Sequence, residues 1–255
     1  MRLVLVVIAI TLISGACQSD PPRSMEYSNI YLPADSAEWV VRNAIQAHGG
    51  GWNGKHVGFR FRNRQYYFIV DSGRYEYVSI YSENDRDVMD ILNNYGFKRK
   101  ENGRDTILPA MLATNKAASL NAVVYFFMLP QRLMDPAVVL KYLGKVAIDT
   151  DTYFLVDVGF EPAGGGEDHD DEFMFWFGEK DFYMDFFAYR YHRDGGGVRF
   201  RVVDTAVAQG GFRIQQYINY KTDSLNVSLQ SLPTLYANGK LIELSRITVD
   251  DLEMR

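Results

Sequence analysis

Residues 172–177 read EFMFWF. Successive side chains of a strand point to opposite faces, so Phe173, Phe175 and Phe177 share one face and Met174 and Trp176 the other. A sheet packed on a core through one face needs only one apolar set. Two sets call for cover on one side and a second apolar space on the other, around which the sheet curls. TYFLVDVGF (152–160) and FYMDFFAYRYH (182–192) repeat the feature, which argues against a plain two-layer sandwich.

The rest of the chain places this sheet. Ala37, Val40, Val41, Ala44 and Ile45 form an apolar helical stripe, with Asp35 or Ser36 as N-cap and Gly49-Gly50-Gly51 as the stop. VGFRFRN (57–63), QYYFIVD (65–71) and RYEYVSIYS (74–82) alternate as strands, and Ser72-Gly73 marks a hairpin. DVMDILNNYGF, within residues 83–106, fits either a short helix or a strand, and Asn102-Gly103 is a turn. SLNAVVYFFML (119–129) is apolar on nearly every side, so it predicts a buried helix. Pro130 breaks it. Asp135-Pro136 predicts the start of another short helix, AVVLKYL, ending at Gly144. From residue 152 to the end the pattern is strands. Strands, then helices, then strands do not alternate as βαβ units do. They predict one α+β domain over 35–255, with a curved antiparallel sheet and helices gathered on one side.

Residues 1–16 carry one arginine and an apolar run of eleven residues, LVLVVIAITLI, before small residues, as a secretory signal does. The single cysteine of the chain, Cys17, follows Ile13-Ser14-Gly15-Ala16. This stretch resembles a lipobox, with Ser14 where leucine is usual, and predicts a mature chain acylated at Cys17. Residues 17–34 are polar and proline-punctuated, as a tether would be. The net charge is −5 with no run of Lys or Arg, which sets nucleic acid aside as a partner.

GGGEDHDD (164–171) is the candidate polar site. Asp168, His169, Asp170 and Asp171 are chemically competent metal ligands, but consecutive side chains diverge unless the backbone bends. The spacing matches neither an EF-hand nor HExxH. A strand leaving residue 171 and a neighbour returning to 192 would bring Asp171, His192 and Asp194 to one sheet end, beside Asp168 and His169. A solvated bend would look the same. Asp185, among aromatics, predicts a structural pair with Arg199 or Arg201. No GxSxG element, phosphate loop or cofactor motif is present.

Beyond these patterns, SLNAVVYFFMLPQRLMDPAVVLKYLG, GGGEDHDDEFMFWF and MDFFAYRYHRDGGGVRFR resemble an uncharacterised family of bacterial envelope lipoproteins. More broadly, the lipobox, N-terminal helix and two strand blocks resemble the LolA/LolB-like lipoprotein carriers. The resemblance implies an open half-barrel around an apolar cavity that takes acyl chains or a lipid-like molecule. Tyr125, Phe127, Met128, Phe173, Phe175, Trp176, Phe177 and Phe186 are the candidate cavity residues. The leading expectation is a monomeric, non-catalytic, cofactor-free binder of hydrophobic molecules, held in the envelope through Cys17 on the periplasmic or cell-surface side of the outer membrane. Two alternatives stay open: a metal-dependent envelope hydrolase using residues 168–171, and a structural or interaction lipoprotein using its outer sheet face.

Overall fold

Two antiparallel sheets of seven strands each carry the chain. The computed structural model describes residues 36–162, 170–192 and 195–255. The signal segment, Cys17, the tether, Asp168, His169 and Asp194 lie outside the described residues.

Helix α1 (Ala37–Ala47) opens the described chain. Ser36 caps it, its Oγ accepting the Trp39 N–H at 3.1 Å. Gly49 ends it with φ 103°, against the backbone of Gly211. A side chain there would be strained in conformation and would collide with that backbone.

Six strands then pair in chain order: β1 (Lys55–Phe61), β2 (Arg64–Asp71), β3 (Arg74–Glu83), β4 (Arg86–Asn93), β5 (Gly96–Glu101) and β6 (Arg104–Thr106). Ser72-Gly73 and Asn102-Gly103 both take left-handed φ values, the conformation that matches the twist of a two-residue hairpin. Residues 83–106, open between helix and strand from the sequence, are therefore a meander. Helix α2 (Ala110–Phe127) and a 3-10 turn (Gln131–Met134) cross to the second sheet.

The second sheet runs β7 (Val138–Ile148), β8 (Asp151–Phe160), β9 (Glu172–Gly178), β10 (Met184–Tyr191), β11 (Gly197–Gln209), β12 (Phe212–Lys221) and β13 (Ile242–Ile247). Strand β14 (Val249–Met254) returns to pair with β1. Only Thr248 separates β13 from β14, so the chain itself joins one edge of each sheet, and the opposite edges, β6 and β7, pair with no further strand among the described residues. The expected curved antiparallel α+β architecture is what the chain forms.

One expected helix is corrected. AVVLKYL is not helical; it lies in β7, which pairs with β8 from Val138↔Phe160 to Ile148↔Asp151. Its burial alternates along much of its length, the period of a strand. The proline after Asp135 fits a strand entry equally well, and the long hairpin decides.

Packing explains the two apolar sets of EFMFWF. The inner face of the second sheet, with Phe173, Phe175, Phe177 and Phe187, packs on Val40, Val41 and Ala44 of α1. Its outer face, with Met174, Trp176, Ala188 and Phe200, packs under Leu229 and Leu232. These belong to a 3-10 turn and a six-residue helix, α3 (Leu232–Ala237), inside a stretch expected to hold strands and turns. The second apolar side is thus a covered core. Against the first sheet, α2 packs Leu120, Val124 and Met128 on Trp52, Phe59, Phe68 and Tyr77.

Candidate functional site

Helix α2 reaches both sheets, and the space beside it is not filled. Phe126 is the divider. Its ring lies 5.9 Å from Phe187 and 5.6 Å from Tyr189, on the inner face of the second sheet. On one side is a cavity of about 330 Å³, walled by Val123 and Phe127 of α2, Phe59 and Phe61 of β1, and Arg201 and Asn219 of the second sheet. On the other is a cavity of about 470 Å³, bounded by Tyr75, Leu92, Ala118, Tyr125, Phe160 and Phe173. Ala122, Phe126 and Tyr189 border both. Each volume falls within the usual range of small-molecule sites, about 300–1,000 Å³.

The sequence-selected cavity residues separate on this geometry. Phe127 lines the smaller chamber, and Tyr125 and Phe173 the larger one. Phe175 and Phe177 lie deeper, against α1. Met128 is buried against the first sheet. Trp176 and Phe186 are on the opposite face of the second sheet, beneath α3. The eight residues therefore do not surround one space.

Two polar walls face α2, one on each sheet. On the first, Asp90 and Arg99 are directly paired in register, with Ser79 the next residue across. Arg99 Nε meets Asp90 Oδ1 at 2.6 Å, and Arg99 Nη2 reaches Asp90 Oδ2 at 2.8 Å and the Tyr81 oxygen at 2.7 Å. Burial, with the Asp90 charge beside it, pushes the Tyr81 hydroxyl up to about 12. The network is closed upon itself.

On the second sheet Phe187, Arg201, Asn219 and Ser245 form one rung across β10, β11, β12 and β13. Arg201 is 9% exposed and its guanidinium carbon stands 4.4 Å from the centre of the Phe126 ring. It donates from Nη2 to the Tyr189 hydroxyl at 3.2 Å, while its buried Nε has no partner among the described residues. Asn219 donates to Ser245 Oγ at 3.4 Å and its buried Oδ1 is likewise unpartnered. Along the same face of β12, Arg213 Nε and Gln215 Nε2 are unpartnered too. Burial pushes the Tyr217 hydroxyl well above the usual tyrosine range.

Sequence reasoning missed this rung. The sequence predicts Arg199 or Arg201 as the partner of Asp185. The structure instead puts Asp185 at a register shift between Met184 and Phe186, with Tyr153 donating to it at 3.4 Å. Burial raises its carboxyl. Arg199 turns to the Tyr191 oxygen at 2.6 Å. The signal was available in VRFRVVD: Val198, Phe200 and Val202 take the outer face, so Arg201 must point into the inner, covered one.

Of the acidic-loop candidates, Asp171 and His192 do meet at one sheet end, the His192 backbone N–H donating to Asp171 Oδ1 at 3.3 Å. Asp170 and His192 are exposed. Among the described residues no three His, Cys, Asp or Glu groups gather as a metal site would require.

Comparison with solved structures finds likenesses of overall shape at low identity. One is a LolA superfamily protein from Nitrosomonas europaea, 10% identical, covering 87% of this chain and 92% of that one, with a TM-score of 0.48. Another is a DUF1329 family protein from Desulfovibrio piger, 7% identical, covering 86% of this chain and 93% of that one, with a TM-score of 0.44. No curated protein matches by sequence. The model of the Family of unknown function (DUF6503) matches residues 53–249, and the chain belongs to that family.

Proposed function

We propose that the protein is a non-catalytic binder of an apolar, acyl-chain-like ligand, which it holds in the two chambers beside Phe126. The observation that carries this reading is the aromatic wall of the smaller chamber, where Phe59, Phe61, Phe126 and Phe127 border a space of about 330 Å³ between a helix and two sheets. Flat apolar rings on rigid elements give a chain large contact area with little entropy to lose. Each Å² of apolar surface withdrawn from water contributes about 25 cal/mol before the costs of association. Most of the residues that border the chambers come from strands and a helix packed on both sides, so the site is preformed.

The N-terminal segment completes the proposal. Acylation at Cys17, after a signal of residues 1–16, would hold the domain in the bacterial envelope on a polar tether. No helix among the described residues is long and apolar enough to cross a membrane.

Ala122 borders both chambers, so Ala122→Trp would fill them. The full chain, kept soluble by a non-ionic amphipathic polymer, is titrated with dodecanol. The parent should bind it and Ala122→Trp should bind at least about tenfold more weakly, with an unchanged cooperative melt. Equal binding by a folded Ala122→Trp variant would contradict the reading.

A further inference from the structure

An acyl chain needs only an apolar wall, and this wall is not only apolar. Arg201 is nine-tenths buried, and an arginine stays charged in any protein interior. Buried charges in folded proteins are paired. Arg201 has ring faces around it, Phe126, Phe187 and Tyr189, and one hydroxyl oxygen. Its Nε is an unused buried donor, and no carboxylate of the described residues is in ion-pair contact with it. The residue beside it in register, Asn219, also keeps a polar atom unused, and Ser245 follows on β13. With the Asn219 amide turned over, the Ser245 hydroxyl can donate to its oxygen and the N–H₂ is left as an unused donor. All three residues border the smaller chamber.

We propose that the ligand is an anionic amphiphile: a carboxylate or phosphate oxyanion seated against Arg201, Asn219 and Ser245, with a single apolar chain lying along Phe126 and Phe127. The inference rests on the acyl-ligand reading and adds a head group to it. A guanidinium presents a planar fork of donors that matches an oxyanion, and charge-assisted bonds are about twice as strong as neutral ones. The aromatic faces around Arg201 hold the fork in place before the ligand arrives. Arg213 and Gln215 extend the donor stripe along β12. A cationic or neutral head would leave Arg201 unpaired in the filled chamber, so the site discriminates by charge as well as by chain.

Four probes with one chain length test this on the full chain in the non-ionic polymer: dodecanoate, dodecyl phosphate, dodecanol and dodecyltrimethylammonium. The parent should bind one or both anions at least about tenfold tighter than the alcohol, and the ammonium worst. Which anion is preferred assigns the head group as carboxylate or phosphate. Arg201→Met should lose the preference for the anions, read as the ratio of anion to dodecanol affinity falling to about one. Arg201→Lys keeps the charge and should keep a reduced preference, which a purely packing role for Arg201 would not produce. Equal binding of dodecanoate, dodecyl phosphate and dodecanol by the parent would overturn the inference and leave the acyl-ligand reading standing. An undiminished anion preference in folded Arg201→Met would do the same. Failure of all four probes to bind the parent would remove the acyl-ligand reading itself, and this inference with it.

Discussion

Arg99 and Arg201 face the same helix from opposite sheets, and both are almost wholly buried, at 5% and 9% exposure. They differ in what surrounds the guanidinium. Arg99 has a carboxylate across from it in register and a tyrosine oxygen as well, so every strong interaction stays within the first sheet. Arg201 has an amide across from it and aromatic faces around it. The first arrangement is a structural network that fixes a sheet beneath a helix. The second leaves a charge whose natural partner the described residues do not supply, at the edge of a chamber. Burial alone does not distinguish a structural arginine from a binding one; the partner list does.

The comparison breaks most visibly on the first sheet. Asp90→Ala leaves the buried Arg99 charge with only the more distant Glu101, at 3.9 Å, and should destabilise the protein by about 3–5 kcal/mol, measured by urea denaturation at neutral pH. A loss under about 1 kcal/mol would mean that the pair is not what holds this wall together. The reverse operation on the second sheet is Asn219→Asp, which gives Arg201 the neighbour that Arg99 already has. It should stabilise the ligand-free protein by about 1.5–3 kcal/mol, the range for hydrogen bonds to charged groups, and abolish the preference for anionic probes by occupying Arg201 from within. Destabilisation with intact anion binding would show that the two rungs are not equivalent. Arg201→Met removes an unpaired buried charge and keeps apolar volume. It should leave stability unchanged or raise it by about 1 kcal/mol, a sign opposite to that for Asp90→Ala.

A third buried group, His48, sharpens the contrast because it avoids charge altogether. It is 5% exposed, with Nδ1 at 2.7 Å from the Ala44 carbonyl oxygen and Nε2 accepting the Met184 N–H at 3.5 Å. Nδ1 therefore carries the proton and Nε2 is the acceptor, the neutral form. Desolvation by burial lowers its pKa from the usual 6.5. The unfolded chain takes up a proton that the folded chain refuses, so the neutral ring contributes stability above pH 6.5 that is lost as pH falls towards the folded pKa. Stability should drop by up to about 1.4 kcal/mol per pH unit in that window, and His48→Gln should flatten the slope. An equal slope in the variant would assign the acid sensitivity elsewhere. At the small end, Lys180→Ala removes an exposed pair with Asp151 and should leave the melting temperature unchanged within error.

Much of the fold was legible because the period of two is strong where it matters. EFMFWF, TYFLVDVGF and FYMDFFAYRYH all form strands, and α1 starts and stops at Ser36 and the glycines. The failures share a cause. AVVLKYL satisfies a helical and a strand pattern alike, and only its long-range hairpin with β8 chooses. Helix α3 has six residues, too few for any period to show, yet it covers Trp176 and so changes what the outer apolar set means. The candidate cavity residues follow from the resemblance and from their size and hydrophobicity, none of which separates core from chamber wall. Trp176→Ala should accordingly destabilise by about 3–5 kcal/mol while dodecanol binding survives. Arg201 carried the clearest chemical signal, a cation set by alternation opposite Val198, Phe200 and Val202, and the cover that α3 gives their face confirms the side it takes.

The chambers beside Phe126 are proposed to hold an amphiphile with an acyl chain. Native mass spectrometry of the full chain, released from its host without ionic detergent, tests it most directly when the parent and Ala122→Trp are sprayed side by side. A ligand in the chambers should show as a co-purifying organic mass on the parent beyond the covalent chain, removed by solvent extraction and missing from Ala122→Trp. The same adduct on both proteins, or none on the parent even after incubation with dodecanoate, dodecyl phosphate and dodecanol, would contradict it.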